Sequence, residues 1–434
     1  MKRNWIFSTL AAVVLLTILV VFIKDDNSLS AKEQPVNEDI TSTQPEVSDI
    51  NNDYPKDVRL TESQRKMSDN NNDFACNLFR TIYKQSKGNR SVIVSPISVS
   101  YVLGMLNEGA DGDTRQQITD VLGLGGSVLE VNEYFKKMID EVSKVDKTVT
   151  IKTANYIGVK SGISLIPQYK ADMQQYYDAQ IDTLSVDKIN NWCDTHTDGM
   201  IPQIIEGLNP NIVMCLLNAI CFKASWNNDF DPEETRNINF TKRDGKIVKR
   251  KMMHRQLYAA YGKNNLCKML RLPYGCNSYS MYVLLPNKGK TIDDIIRNLS
   301  AEKLEQQRKR DMSFHEVDIL LPRFTTESEI ELVGVLSAMG MPRAFGKGAE
   351  FPNMAQGHKN DLYVSMMMQK AKIEVEEEGS KAAAVTMAMM ATKSAVFIEE
   401  EPKIVEFHAK RPFVYYIIEN NTGTIFFMGT YCGD

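Results

Sequence analysis

The stretch "NIVMCLLNAICF", residues 211–222, constrains the fold of this chain more than any other. It carries no charge, glycine or proline, and its only polar side chains are Asn211 and Asn218. Such a run is too long and too apolar for a sheet edge, so it reads as a central strand buried on both faces. A central strand needs partners, and three further segments supply strand signals: "SYSMYVLLP", "EVDILLP" and "KIVEFHAKRPFVYYIIENNTGTIFFMGTY". The last reads as a hairpin turning at Asn420 to Gly423. Helical periodicity alternates with these strands. "TRQQITDVLG" places Ile118, Val121 and Leu122 on one stripe and closes on Gly123 as a C-cap. "INNWCDTHTDGMIPQII" reads as a helix ending near Gly199, with Pro202 in a fresh turn. The mixture describes one large α+β domain over 63–434.

Two segments precede it. The uncharged run from Asn4 to Ile23 follows Lys2 and Arg3 and has the ~20 residues that a bilayer-crossing helix needs. Residues 1–24 are therefore expected to be either a cleaved signal peptide or a retained anchor through 4–23, with the remainder outside the cytoplasm. No cysteine occurs before Cys76, which excludes a lipid-modified cysteine at the end of this run. Residues 25–62 are rich in Asp, Asn, Ser, Thr and Glu, bury too little apolar surface to order themselves, and are expected to form a linker.

Charge and motif content exclude several functions. The net charge is −4, with Lys and Arg dispersed, so nucleic acid is not an expected partner. The seven cysteines are odd in number and irregularly spaced, without the C-x-x-C spacing of a zinc site, and most are expected to be unpaired core residues. The five histidines lie far apart; "HEVD" at His315 lacks the second histidine of a zinc-protease helix, and "GADGDT" lacks the alternating ligands of a calcium loop. Neither a nucleophile elbow nor a phosphate-cradling loop occurs. No enzyme, metal or cofactor is expected. The carboxylates Glu374, Glu376, Glu377 and Glu378 are read as a solvated strand edge.

Several segments together resemble the serpins, the serine protease inhibitors, in the right order: "SVIVSPISVSYVLGMLNEGADGDTRQQITDVLG", "LLNAICFKASWNNDFDPEETRNINF", "VKRKMMHRQLYAAYG", "VDILLPRFTTESEIELVGVLSAMGM" and "RPFVYYIIENNTGTIFFMGTY". The resemblance covers essentially everything after the linker. It implies three β-sheets, eight or nine helices, and a mobile reactive loop near the C-terminus, about 376–403 here. It also implies that Ser95, Ser98 and Asn218 form the shutter beneath the main sheet, and that Trp226 stands at the breach where the loop enters. Gln369 departs from the family pattern, standing where many serpins place a shutter histidine; an amide can donate and accept, so an altered network is expected.

The family mechanism gives meaning to "EEEGSKAAAVTMAMMATKSA", residues 376–395, which is too apolar for a solvent loop and too thin for a core strand. A protease cuts the loop and is trapped as an acyl-enzyme when the loop enters the main sheet as a new strand. Gly379 supplies freedom at the bend. Strand parity puts Ser380, Ala382, Ala384, Thr386, Ala388 and Met390 on one face, small and uncharged, and Lys381, Ala383, Val385, Met387, Met389 and Ala391 on the other. No proline interrupts the stretch. From Ser380 to Lys393 an extended chain reaches about 46 Å. The family spacing puts the scissile bond at Lys393–Ser394, suited to a trypsin-like protease whose pocket holds a carboxylate. The segment after Lys393 is longer than the family norm, which keeps Thr392, Met390 and Met389 open as reactive residues, suited to elastase-like or chymotrypsin-like enzymes. A monomeric inhibitor that forms a covalent complex with a serine protease is the expected function. A non-inhibitory carrier or chaperone, or an inhibitor of cysteine proteases, is the alternative.

Overall fold

The computed structural model describes residues 56–86, 90–357, 362–380 and 404–434. These form fifteen strands in two hydrogen-bonded sheets and nine α-helices: α1 (Glu62–Gln85), α2 (Pro96–Gly109), α3 (Gly112–Leu122), α4 (Val128–Asp140), α5 (Pro167–Tyr177), α6 (Val186–His196), α7 (Ile292–Arg297), α8 (Ala301–Arg310) and α9 (Val333–Met339). The apolar run at 211–222 becomes the centre of the six-stranded sheet as β4 (Met214–Ser225). Its first residues are taken by a turn in which Ile212 N–H donates to the Asn209 carbonyl, so the strand starts three residues late. On one side β4 pairs antiparallel with β2 (Val149–Val159), which is flanked by β3 (Ala179–Thr183). On the other it pairs in parallel with β11 (Met366–Val375), and β10 (Phe324–Glu331) closes that edge. Even-numbered residues of β4, such as Leu216 and Ile220, face the main core; Cys215, Leu217 and Ala219 face a smaller cluster under α6 around Trp192 and Ile204.

The second sheet has nine strands: β1 (Val92–Val94), β15 (Ile425–Tyr431), β14 (Phe413–Glu419), β8 (Tyr279–Pro286), β7 (Cys267–Tyr274), β6 (Ile247–Lys263), β9 (Met312–Pro322) and β13 (Val405–His408), with β5 (Arg236–Thr241) on β6. The third sheet implied by the family resemblance, β5, β6, β9 and β13, is continuous with the rest because β6 serves both. Its first residues pair with β5, its middle with β9, and Tyr261–Lys263 reach β7. The C-terminal hairpin turns where expected, with Gly423 N–H donating to the Glu419 carbonyl. The segment before it is a separate strand, β13, parallel to β9.

Local signals explain most boundaries. Gly123 adopts φ 68° and caps α3. The helix expected to end near Gly199 stops at His196, because the Thr197 hydroxyl donates to the Cys193 carbonyl and accepts from Ile201 N–H. The linker boundary moves too. Ordered packing begins before 63: Lys56 N–H donates to the Val145 carbonyl, Val58 and Leu60 are buried, and Thr61 with Gln64 makes a reciprocal capping box on α1. Two apolar side chains and a cap suffice to fix a polar stretch. Residues 1–55, including the apolar run 4–23, lie outside the described residues. No helix among the described residues is long and apolar enough to cross a membrane. Six of the seven cysteines, Cys76, Cys193, Cys215, Cys221, Cys267 and Cys432, are buried and outside any disulfide, and burial pushes the Cys215 thiol up to about 12, as expected of inert core residues.

Candidate functional site: the seam between two parallel strands

The strands β11 and β4 hydrogen-bond directly to each other, from Met366↔Cys215 to Ile373↔Phe222. At the upper end of this seam β11 runs into the turn Glu376–Gly379, closed by Glu376 N–H to the Gly379 carbonyl (2.9 Å) and Gly379 N–H to the Glu376 carbonyl (3.1 Å). The chain then reverses as β12 (Gly379–Ser380), antiparallel to β4, with Gly379 opposite Ser225 and Ser380 opposite Ala224. Only glycine fits here. Gly379 has φ +111°, and a Cβ would stand 2.2 Å from the Ala224 carbonyl oxygen.

Trp226 holds this turn. Its backbone N–H donates to the Glu378 carbonyl (3.2 Å) and its indole N–H to the Glu376 carbonyl (2.9 Å). The buried ring stacks on Tyr274 at 4.1 Å. Phe230 N–H donates to the Glu377 carbonyl, so the whole turn is anchored to the segment following β4.

The four carboxylates are not a uniformly solvated edge. Glu378 is exposed, but Glu377 is 2% exposed; Arg323 forms an ion pair with its Oε2, and the Thr235 hydroxyl donates to its Oε1 at 2.7 Å. Glu374 pairs with Lys372 at 3.0 Å. Burial alone would raise the Glu377 carboxyl, yet the hydrogen bonds from Arg323 and Thr235 outweigh it and hold the group below the ordinary glutamate range. A carboxyl with a depressed folded pKa stabilises the fold above its unfolded value, about 4.3, and that stabilisation is lost as pH falls through the folded value. We expect Trp226 emission to change on acidification below the ordinary glutamate range, and Glu377→Gln to remove that step. An identical acid titration in the variant would contradict this assignment.

Lower down the seam, the shutter residues meet in a buried network. Gln369 and Asn218 are directly opposed in the β11–β4 register. The Gln369 amide nitrogen donates to Asn218 Oδ1 (3.1 Å) and to the Ser95 carbonyl (2.9 Å), while Gln369 Oε1 accepts from Ser95 N–H (2.9 Å). Ser98 Oγ donates to Asn218 Oδ1 at 2.7 Å. Ser95 therefore takes part through its peptide groups, and its hydroxyl has no hydrogen-bond partner. The altered network expected of Gln369 is present and bridges three elements: β11, β4 and the start of α2. Sequence reasoning missed Asn155 on β2. It sits opposite Asn218 on the other side, accepts from Asn218 Nδ2 (2.9 Å) and donates to the Tyr177 carbonyl (2.8 Å). Its only signal was an amide in the middle of the otherwise buried end of a strand.

The remaining expected site residues, Lys381, Ala382, Ala383, Ala384, Thr386, Met389, Met390, Thr392, Lys393 and Ser394, lie outside the described residues.

Comparison with known proteins agrees with this arrangement. A family model described as Serpin (serine protease inhibitor) matches residues 69–433. Serpin B6 of Macaca fascicularis is 30% identical over 374 residues, covering 82% of this chain and 96% of the relative. Leukocyte elastase inhibitor of Sus scrofa is 31% identical over 373 residues, with the same coverage of 82% and 96%. Among solved structures, the thermophilic serpin tengpin in its native state superposes with a TM-score of 0.76 at 26% identity, covering 87% of this chain and 96% of that one. Human thyroxine-binding globulin complexed with its hormone gives a TM-score of 0.76 at 25% identity, covering 85% and 98%. The chain belongs to the serpin family.

Proposed function

We propose that the protein is a suicide-substrate inhibitor of trypsin-like serine proteases, cut at Lys393–Ser394. One observation carries the reading: β12 already lies antiparallel on β4 at the mouth of the parallel β11–β4 seam. Continuing that register one residue at a time places Ala382 opposite Phe222, Ala384 opposite Ile220, Thr386 opposite Asn218 and Ala388 opposite Leu216, all on the core-facing side of β4. The small set of loop residues thus meets the buried face. Lys381 falls on the other face, toward which Lys370, Lys372 and Glu374 of β11 project half-exposed. An antiparallel strand entering the seam replaces one parallel ladder by two antiparallel ones, which are slightly more stable per residue.

In this reading the protease serine attacks the Lys393 carbonyl, forming an ester and releasing Ser394 as a new N-terminus. The loop, freed from its C-terminal tether, enters the seam and carries the ester-linked protease with it before water completes hydrolysis. The chain itself is a consumed inhibitor, acting as a monomer, and residues 4–23 direct it out of the cytoplasm or anchor it facing outward.

Incubation with trypsin should give a complex that survives SDS, together with a released peptide beginning at Ser394 by mass spectrometry. Lys393→Ala should abolish both with trypsin. A peptide beginning after Thr392, Met390 or Met389 would move the bond and favour elastase-like or chymotrypsin-like targets. Absence of a covalent complex with every serine protease tried would favour the carrier reading.

A further inference from the structure

A cavity of about 300 Å³ lies between α7, α8 and the turn that joins β6 to β7. Its floor is apolar, formed by Leu284 of β8, Ile295 of α7, Leu299 between the helices and Leu304 of α8. One wall is the turn over 264–266, and hydrogen bonds fix it in place. Asn264 Oδ1 accepts from Leu266 N–H (2.8 Å) and Cys267 N–H (2.9 Å), and Asn287 Nδ2 donates to the Asn264 carbonyl (2.7 Å). The space is therefore formed before anything enters it, as small-molecule sites usually are. None of the lining residues lies on the β11–β4 seam, so binding here is independent of loop insertion.

The opposite wall is one stripe of α8. Lys303 and Gln307 stand four residues apart, and Asp311 caps the helix four residues further on, so the stripe reads cation, amide, anion over about 12 Å. Among the described residues neither Lys303 nor Asp311 has an ion-pair partner, and Gln307 Oε1 is shielded from solvent without a hydrogen-bond partner. An acceptor left unmet in this way is a cost that a ligand N–H removes. The order of charge along the stripe is also the reverse of what a helix prefers, which is acid in the first turn and base in the last. Elsewhere on α8 the preference is followed: Glu302 occupies the first turn, and Arg308, Lys309 and Arg310 the last. The reversal is confined to the stripe that lines the cavity.

The geometry points to this cavity as a binding site for a short apolar peptide with both ends free. An extended tripeptide spans about 10 Å. Its carboxylate reaches the Lys303 ammonium, its ammonium reaches Asp311, and a rotation of the Gln307 amide turns Oε1 to a peptide N–H between them. The apolar side chains meet Leu284, Leu299 and Leu304. The dipole of α8 acts in the same sense at both ends, drawing the carboxylate to the helix start and the ammonium to its end. An internal segment of a longer chain carries neither terminal charge and is not held. Peptides of this size with two free ends are products of proteolysis, so the class of reaction that supplies the ligand is peptide-bond hydrolysis.

The test uses the full chain and the tripeptide leucyl-alanyl-leucine in isothermal titration calorimetry. Saturable binding at one site is expected, and added peptide should raise the melting temperature. Blocking both ends, as the N-acetyl amide, should weaken binding about tenfold or more, because it removes two charge-assisted hydrogen bonds. Lys303→Gln should weaken binding of the free peptide about as much as C-terminal amidation does, and should add nothing to the loss in the amidated peptide. Asp311→Asn should stand in the same relation to N-acetylation. Both side chains are exposed, so neither variant should melt below the parent without peptide. The site would be overturned by any of three results: no saturable binding at millimolar peptide, equal binding of the free and blocked peptides, or equal binding of the free peptide to the parent and both variants.

Discussion

Thr386→Arg is expected to convert the protein from an inhibitor of trypsin-like proteases into their substrate. If the inserted loop keeps the register of β12, as proposed, residue 386 would come to lie opposite Asn218, over the buried amide network with Ser98, Gln369 and Asn155. A guanidinium entering there would be an unpaired charge among buried neutral groups, which costs several kcal/mol even after relaxation. In the proposed mechanism trapping is a race between loop insertion and hydrolysis of the acyl-enzyme, and each 1.4 kcal/mol added to the insertion barrier slows it about tenfold. The variant should be cut at the same bond and release active protease, so the number of molecules consumed per protease inactivated should rise by orders of magnitude. Ala382→Arg, which the same proposed register would bring opposite Phe222, should do the same. Lys381→Arg, on the opposite face in that register, should inhibit like the parent. Equal stoichiometry for Thr386→Arg and the parent would contradict insertion in this register.

Asn218→Ala should have the largest effect on the uncut protein. Asn218 Oδ1 accepts from Ser98 and Gln369, and its amide nitrogen donates to Asn155 Oδ1 and, at 3.4 Å, to the Ala154 carbonyl. The substitution leaves two buried polar atoms, Ser98 Oγ and Asn155 Oδ1, without partners, each costing roughly 1–3 kcal/mol, and Gln369 Nε2 keeps only its bond to the Ser95 carbonyl. The sum, about 2–6 kcal/mol, corresponds to a melting temperature lower by about 3–8 °C for a domain of this size. The same change removes a side-chain bond that crosses the β11–β4 seam, so the uncut variant should also open there more readily. Hydrogen exchange at β11 and β4 should accelerate while the nine-stranded sheet keeps its protection. Gln369→Leu should behave similarly. Gln369→His, which restores a donor and an acceptor, should recover most of the loss. A melting temperature within error of the parent for Asn218→Ala would contradict the role given to the network.

The parts of this fold that were legible in the sequence are those specified within a few residues. β4 was legible because both its faces are covered, leaving an unbroken apolar run. The end of α3 was legible because Gly123 takes a conformation that disfavours other residues. Features that depend on distant partners were not. Glu377 looked like one of four solvated acids, since its partner Arg323 is 54 residues away in the chain. Asn155 gave little signal because its bond to Asn218 spans 63 residues. The fusion of two expected sheets through β6 depends on which neighbour each part of a long strand meets, and alternation along one strand does not encode that. The shutter and breach positions came from family resemblance, and the structure brings Ser95, Ser98, Asn218 and Gln369 together while placing Trp226 on the turn that leads into the loop. The parity expected of the loop from its small residues falls on residues outside those described. The loop's proposed register against β4 was not legible, and extends the pairing of the two residues of β12.

The central claim is that the cut loop becomes a strand between β11 and β4, and the most direct measurement is thermal unfolding of the protein before and after cleavage within the loop by a protease it does not trap. A strand of about ten residues added to the seam forms on the order of ten new backbone hydrogen bonds, each worth roughly 0.5–1.5 kcal/mol net. The cleaved protein, with both fragments still associated, is therefore expected to melt about 6–20 °C above the intact one. A cleaved form that melts at or below the temperature of the intact protein would contradict the account.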